Sequence, residues 1–263
     1  MPRHYWEIFM KRRLIGSAAI AFAVALGAAL LASPASAQPA LSGDQLATKA
    51  GPLVIHPVNH ASFVMSWNGK VVYVDPVGGA EPYRDLPRPD LILITDIHAD
   101  HMHAPTLAAL MGPKTAIIAP AAVQAALPAE LQPAVHALAN GETTTAEGIR
   151  IEAIAMYNTT PERAKFHTKG RGDGYVLTLG GKRVYIAGDT EPTPEMLALK
   201  AIDVAFIPMN LPFTMTPQQA AEAVRAFRPK VVYPYHSRGS DVGEFARLVG
   251  TDAGVEVRVR QWY

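Results

Sequence analysis

Five side chains that can bind a divalent cation lie within one short segment of the chain. The segment contains two carboxylates and three imidazoles: Asp96, His98, Asp100, His101 and His103. Neutral imidazole nitrogens and carboxylate oxygens are common protein ligands of zinc and related ions. Because the chain contains no cysteine, a metal must be bound through nitrogen and oxygen, and thiolate catalysis is excluded. The segment therefore predicts a metal site.

This segment follows Leu91–Ile94, a run of aliphatic residues that is typical of a central strand buried on both faces. Two later segments share the arrangement. Asp189 follows the apolar run 184–187, and His236 follows the run 231–235. Loops at strand ends are where α/β proteins place their chemistry, because the sheet is rigid and the loop is open. We therefore expect the three segments to converge.

Two hairpins, with turns at Asn68-Gly69 and Gly180-Gly181, divide the chain into similar halves. In each half, strands come first and strand–helix units follow. This repetition predicts two αβ halves that pack sheet on sheet, with helices outside. The predicted helices are at about 104–111, 121–127, 217–227 and 242–249, and Thr216 to Gln219 form a capping box.

The pattern His-x-Asp-His at 98–101, then Gly188-Asp189, then a late His236 resembles the metallo-β-lactamase superfamily of hydrolases. Residues 59–63 and 73–76 are similar to the branch that contains ascorbate-6-phosphate lactonase-like proteins. The resemblance covers most of residues 52–263. It implies an α/β fold, a four-layer αβ/βα sandwich, with the site at one edge of the two sheets.

The resemblance also implies two metal positions. The first would be formed by Asp100, His101, His236 and a bridging Asp189. The second would be formed by Asp96, His98 and the same Asp189. The family usually has His in place of Asp96, and a mid-chain His for which Asn158 is the best match here. Such an oxygen-rich second position favours a harder ion or a single-metal enzyme. The expected cofactor is a divalent metal, Zn²⁺ as one or two ions, with Mn²⁺ as the alternative.

These residues predict a hydrolase in which metal-activated water attacks an ester, lactone, amide or phosphodiester of a small molecule. A divalent ion lowers the pKa of bound water from near 16 to about 7. The expected catalytic residues are Asp100, which orients the water, and Asp189. Candidate proton donors are Tyr157, His103 and His167. The resemblance ranks lactone or phosphoester cleavage above β-lactam cleavage.

Three alternatives stay open from the sequence: a β-lactamase, a non-catalytic metal- or ligand-binding protein on the same fold, and an iron-dependent oxidoreductase. His60 and His56 are interpreted as core or near-site histidines, not as ligands. Segment 163–171 carries the basic side chains Arg163, Lys165, Lys169 and Arg171. It predicts attraction of an anionic group on the substrate.

The beginning of the chain has the features of a secretory signal. A positive stretch at 11–13 precedes the uncharged apolar run 14–32, and Ala35-Ser36-Ala37 fits a cleavage site. We expect a signal peptide over residues 1–37, with Met10 as a plausible true start, a lead-in over 38–51 and a hydrolase domain over 52–263. An uncleaved membrane anchor is the alternative. The expected location is periplasmic or secreted.

The composition indicates few macromolecular partners. The net charge is +1, which gives no indication of binding to nucleic acid or, after cleavage of the signal, to a membrane. The expected partner is therefore a small-molecule substrate, and the sequence leaves the oligomeric state open.

Overall fold

The computed structural model describes residues 39–263, so the predicted signal peptide and its cleavage site lie outside the described residues. Fourteen strands in these residues form two seven-stranded sheets. The first sheet contains, in spatial order, β1 Asp44–Thr48, β2 Gly51–Asn59, β3 Ser62–Trp67, β4 Lys70–Val74, β5 Leu91–Leu93, β6 Ala116–Ala119 and β7 Val135–Ala137. The second contains β8 Thr143–Ala146, β9 Ile149–Met156, β10 Gly172–Leu179, β11 Lys182–Ile186, β12 Val204–Pro208, β13 Val231–Tyr235 and β14 Glu256–Val257.

The two sheets repeat one topology. In each, the first four strands pair antiparallel and the remaining pairings are parallel. The hairpins β3–β4 and β10–β11 occupy equivalent places, and their turns contain Asn68, Gly69, Gly180 and Gly181 at positive φ. Such turns match the twist of the flanking strands. The repeat predicted from the sequence is therefore a repeat of topology.

The layers follow from where apolar side chains are buried. Side chains from both sheets meet in one core, where the rings of Phe63 and Phe206 stack with centroids 4.1 Å apart. Helices cover the outer faces: α1 Ala104–Leu110 and α2 Ala121–Ala126 on the first sheet, and α3 Pro194–Leu197, α4 Pro217–Phe227 and α5 Val242–Val249 on the second. The prediction of a four-layer sandwich is confirmed.

Three short elements are not expected from the sequence. Strand β1 falls within the segment interpreted as a lead-in, and it pairs with β2 over five residues. Strand β8 and helix α3 are the others. The burial of β1 and β8 alternates only between intermediate and exposed, so neither carries the apolar pattern of a core strand. Among residues 39–263 no helix has both the length and the apolarity needed to cross a bilayer.

Candidate metal centre

Three strand ends bring the predicted ligands together at one edge of the sandwich. The loop after β5 carries His101, the turn after β11 carries Asp189, and His236 follows β13 directly. The Nε2 atom of His101 lies 3.3 Å from Oδ2 of Asp189, and Nε2 of His236 lies 3.2 Å from Oδ1. Asp100 is close to the same imidazole, with 3.3 Å between its Oδ2 and Nε2 of His236. We call these four residues the first ligand group.

The first ligand group fits a divalent ion. Zinc bonds of about 2.0–2.1 Å to nitrogen and oxygen place tetrahedral ligand atoms about 3.3 Å apart. The observed separations around Asp189 have this value. Moreover, His101 Nε2 and Asp189 Oδ1 are buried and make no hydrogen bond of acceptable geometry within residues 39–263. Buried polar atoms are rarely left without a partner, so these converging atoms indicate a binding site.

Opposite charges keep the carboxylates of this group ionised. Burial alone would raise the pKa of Asp189, but His236 and His101 outweigh burial and hold it well below its usual value. The pKa of Asp100 is also lowered, because hydrogen bonds from His236 and His60 outweigh its burial. In His101, Asp189 and Asp75 overcome the opposing effect of burial and raise the pKa well above its usual value. A histidine binds a metal through an unprotonated nitrogen, so a cation at Nε2 of His101 would compete with protons for that atom.

A buried carboxylate fixes the orientation of His101. Asp75 follows β4, and its Oδ2 lies 2.8 Å from Nδ1 of His101. Thr95 donates to both oxygens of Asp75, from its backbone nitrogen at 2.7 Å and from Oγ1 at 2.6 Å. With Nδ1 engaged in this way, Nε2 points toward Asp189. Carboxylates that hold ligating histidines in this manner typically raise metal affinity.

His60 lies against the first ligand group from the turn between β2 and β3. Its ring is 3.7 Å from that of His236, and its Nε2 is 3.2 Å from Oδ2 of Asp100. Its Nδ1 is 2.8 Å from the hydroxyl of Tyr263. His60, Asp100 and His236 are thus close enough to offer a further ligand set. The near-site interpretation agrees with this position, whereas His56 bonds the carbonyl of Ser42 outside the group.

The backbone around the first ligand group adopts unusual conformations. His60, Asp75 and His236 have φ values of 54°, 44° and 44°, a region that non-glycine residues rarely occupy. Gly188, with φ 65°, precedes Asp189, and a Cβ atom there would lie 2.4 Å from Sδ of Met156. Strained residues of this kind cluster at functional sites, where the surrounding structure enforces them.

A second ligand group lies on the other side of Asp189 and consists of Asp96, His98 and His167. The His98 Nδ1 atom is 2.6 Å from Oδ2 of Asp96, and Nε2 of His167 is 3.7 Å from the same oxygen. The same His167 nitrogen is 3.3 Å from Oδ2 of Asp189. Asp189 therefore lies between the two groups, as its predicted bridging role requires.

The mid-chain imidazole comes from His167, so the assignment of Asn158 to that position is corrected. Asn158 donates from Nδ2 to the carbonyls of Phe213 at 2.7 Å and Arg163 at 3.0 Å. The Nδ1 atom of His167 lies 3.2 Å from the Phe213 carbonyl, which leaves Nε2 facing Asp189. The loop between β9 and β10 has no periodic pattern, so the histidine itself is the one sequence signal for a metal ligand there. The second group therefore lacks one imidazole relative to the family, at Asp96.

The other proton-donor candidates are engaged elsewhere. Tyr157 donates to Glu195 at 3.0 Å. His103 precedes α1, and its Nδ1 lies 2.7 Å from Oγ1 of Thr106. Neither belongs to a ligand group, and His167 now has a ligand position instead. The proton donor for the leaving group is therefore not identified among these three candidates.

Three of the four basic side chains in segment 163–171 face a carboxylate. Arg163 pairs with Glu191 at 2.7 Å and Lys169 with Glu195 at 2.6 Å. Arg171 approaches Asp96 at 3.3 Å. Lys165 instead lies over the ring of Phe166, 5.2 Å from its centroid. Lys165 is therefore the basic side chain of this segment that is best placed to attract a free anion.

A small cavity of about 180 Å³ opens beside both ligand groups. Its lining consists of His98, Asp100, Phe166, His167, Asp189 and Phe213. The rings of Phe166 and Phe213 pack edge to face with centroids 5.1 Å apart, and they form one apolar wall. The side chain of Asp100 is 46% exposed. Solvent and a small molecule can therefore reach the ligands, as in a catalytic metal site and unlike a closed structural one.

Comparison with known proteins agrees with this geometry. A family model described as "Beta-lactamase superfamily domain" matches residues 55–236. A UPF0173 metal-dependent hydrolase of Thermococcus kodakarensis is 30% identical over 214 residues, which cover 76% of this chain and 93% of that relative.

Two solved structures extend the comparison. A crystal structure assigned as a metal-dependent hydrolase of Parabacteroides distasonis is 42% identical, with a TM-score of 0.77, and the match covers 84% of this chain and 99% of that one. A di-iron β-hydroxylase of Streptomyces venezuelae is 21% identical, with a TM-score of 0.61 over 85% of this chain and 53% of its own, and shares the fold alone. The resemblance to the lactonase-like branch stays a prediction. The matches establish that the chain belongs to the metallo-β-lactamase superfamily of metal-dependent hydrolases.

Proposed function

We propose that this protein is an exported hydrolase that cleaves an ester, lactone, amide or phosphodiester bond in a small molecule. The observation that carries the proposal is the convergence of His101, Asp189 and His236 from three strand ends, with ligand atoms 3.2–3.3 Å apart beside an open cavity. Their spacing suits a divalent cation. Because the cavity opens these ligands to solvent, the site suits a catalytic metal better than a purely structural one.

The ligand chemistry supports Zn²⁺ in the first ligand group. Two buried imidazoles and two carboxylates offer the nitrogen and oxygen donors that zinc accepts. The second group offers a carboxylate in place of one imidazole, which widens its choice to Zn²⁺ or Mn²⁺. When bound, a divalent ion supplies acidity to water and polarises a carbonyl or phosphoryl oxygen.

The protein's own groups then have distinct tasks. Asp100 is ionised, partly exposed and oriented by His60 and His236, so it can accept a hydrogen bond from the attacking water. Asp189 is buried between the ligand groups and holds them at a fixed separation. A group held by several hydrogen bonds loses little entropy when substrate binds, which favours an oriented attack.

The cavity limits the substrate. At about 180 Å³ it accommodates only the reacting part of a molecule, and the wall of Phe166 and Phe213 suits an apolar substituent. These features support a small ester or lactone ahead of a bulky substrate. Lys165 lies over the ring of Phe166, which lines the cavity, and it would favour a substrate with an anionic tail.

The substrate class can be tested with a panel of a lactone, a simple aryl ester, bis-(p-nitrophenyl) phosphate and nitrocefin. We expect turnover of the lactone or ester at least about tenfold above that of nitrocefin, because discrimination by pocket contacts is commonly of this size. Turnover of nitrocefin alone would support the β-lactamase alternative. If no member is cleaved by metal-loaded protein, the non-catalytic alternative gains support.

The Lys165→Ala variant tests the anionic tail. We expect a few-fold higher KM for an anionic substrate and no change for its neutral analogue, because one exposed charge contributes weakly and is screened by salt. The measurement is the KM ratio at low and high ionic strength. Equal changes for both substrates would show that Lys165 has no electrostatic role.

Export can be tested by expression with the native N-terminal segment. We expect the periplasmic or secreted fraction to contain a protein that begins at Gln38, as measured by intact mass. Recovery of the full-length chain from the membrane fraction would support the uncleaved anchor instead.

A further inference from the structure

Arg171 makes a two-point contact with the one carboxylate that replaces an imidazole in the second ligand group. Its Nε lies 3.3 Å from Oδ1 of Asp96, and its Nη2 lies 3.3 Å from Oδ2. The same Nη2 is 3.4 Å from Nε2 of His98, and it also donates to the Phe166 carbonyl. The guanidinium is therefore held against both oxygens of the Asp96 carboxylate, beside His98.

The substitution of a carboxylate for an imidazole changes the charge of the group. Asp96 is fully buried and adds one negative charge where a neutral histidine would add none. An uncompensated buried charge is costly, and a nearby opposite charge offsets that cost. Arg171 supplies one positive charge through the planar fork that matches a carboxylate. Together, Asp96 and Arg171 carry the net charge of the histidine that they replace.

We infer that Arg171 is a positioning residue that lets Asp96 serve as a ligand, so that the Asp96–Arg171 pair replaces a histidine in binding a divalent cation at the second position. The inference rests on the proposed function. The pair leaves the total charge of the two ligand groups equal to that of a histidine-containing site. Arg171 also fixes the orientation of the Asp96 carboxylate through contacts with both of its oxygens, as Asp75 fixes His101 through Nδ1.

A double-mutant cycle on metal binding tests this inference. The proteins are the wild type, Arg171→Ala, Asp96→His and the variant with both changes, each stripped of metal and titrated with Zn²⁺ in a calorimeter. We expect two ions per wild-type chain. Arg171→Ala should lose affinity for the second ion by about 10- to 100-fold, the usual effect of removing a partner of a ligand. In the Asp96→His background the same change should have less than about a threefold effect.

Further variants separate a charge effect from damage to the loop. Arg171 also contacts the Phe166 carbonyl, so its removal could disturb His167 nearby. Arg171→Ala removes that contact in both backgrounds. If second-ion affinity falls only when Asp96 is present, loop damage is excluded as the cause. Arg225→Ala removes a comparable fork, the one to Asp252, at an exposed site. It should leave both ions bound.

The outcomes distinguish this inference from the proposed function. An equal loss of second-ion affinity in both backgrounds would overturn the inference and leave the metal centre intact. So would a wild type that binds one ion and an Arg171→Ala variant that gains a second, because Arg171 would then occupy the position itself. A wild type that binds no ion would instead refute the proposed function.

Discussion

The two ligand groups meet at Asp189 but are built differently. In the first, His101, Asp189 and His236 come from three different connections that follow strands, and their side chains are almost fully buried. In the second, His98 has 40% of its side chain exposed, and His167 comes from a long loop. Separations in the first group already suit a tetrahedral ion, whereas His98 and Asp96 are 2.6 Å apart and bond to each other. The first group is thus preorganised for an ion, whereas the second must rearrange before it can bind one.

This difference predicts unequal affinities. The first group should bind a cation with little structural change, because its unusual backbone conformations and the hydrogen bond that His101 donates to Asp75 already fix its ligands. The second group must break the bond between His98 and Asp96 before it can offer both as ligands. We therefore expect tighter binding in the first group. Three substitutions test the comparison.

Removal of a ligand from the first group should have the largest effect. His236→Ala should lower affinity for the first ion by more than about 100-fold, because even loss of a ligand's partner costs about 10- to 100-fold. Hydrolysis should fall to the background of the stripped protein. Calorimetry and turnover measure both, and the exposed His136 on β7 gives a control, His136→Ala. Retention of first-ion affinity would show that His236 is not a ligand.

The Asp75→Asn variant tests whether preorganisation matters. Loss of the carboxylate should weaken binding of the first ion by about 10- to 100-fold and leave binding of the second nearly unchanged. Asp90 accepts a bond from the Val71 nitrogen at the opposite end of the same sheet, so Asp90→Asn is a matched control. A loss for the second ion as large as for the first would contradict the division into two groups.

The Gly188→Ala variant tests the backbone that positions Asp189. The new methyl group would overlap Met156, and φ of 65° is unfavourable for alanine. We expect a loss of about 1–3 kcal/mol in the free energy of unfolding, together with weaker binding of both ions. Gly148 has φ of 76°, but a Cβ atom there would have no neighbour within 4 Å, so Gly148→Ala isolates the strain. If Gly188→Ala and Gly148→Ala lose equal stability, the overlap with Met156 makes no contribution.

Asp173 is a buried carboxylate that forms no salt bridge within residues 39–263, and it should behave oppositely to Asp189. Burial raises the pKa of Asp173 to about 7, although a hydrogen bond from Asn140 opposes this. The folded state then holds its proton more tightly than the unfolded state, whose pKa is near 3.8. Stability should therefore fall as pH rises from about 4 to about 7, by about 2–3 kcal/mol between pH 5 and pH 8.

The Asp173→Asn variant should lack this fall, because it has no proton to lose. The measurement is the free energy of unfolding of metal-free protein across that range of pH. Asp203 serves as a reference of opposite sign, since Lys230 and Lys182 outweigh burial and lower its pKa. A wild type and an Asp173→Asn variant with parallel pH profiles would contradict the assignment.

The sequence predicts those site residues whose positions are set by the central strands. Aliphatic runs locate the central strands, and the first polar residues after them, Asp96, His98, Asp100, His101, Asp189 and His236, do lie together. Asp75 gives the same signal after β4, but in the sequence it stands out only as part of a resemblance. His60, His167 and Arg171 depend on a turn at positive φ and on the path of a long loop. Neither follows from periodicity, because tertiary contacts decide both.

The central claim is that separated strand ends bind a divalent ion on which hydrolysis depends. Its most direct test is elemental analysis of the purified protein, combined with turnover before chelation, after chelation and after re-addition of Zn²⁺ or Mn²⁺. We predict at least one bound ion per chain, loss of turnover with the ion and recovery with its return. Undiminished turnover by a protein shown to be free of metal would contradict the claim.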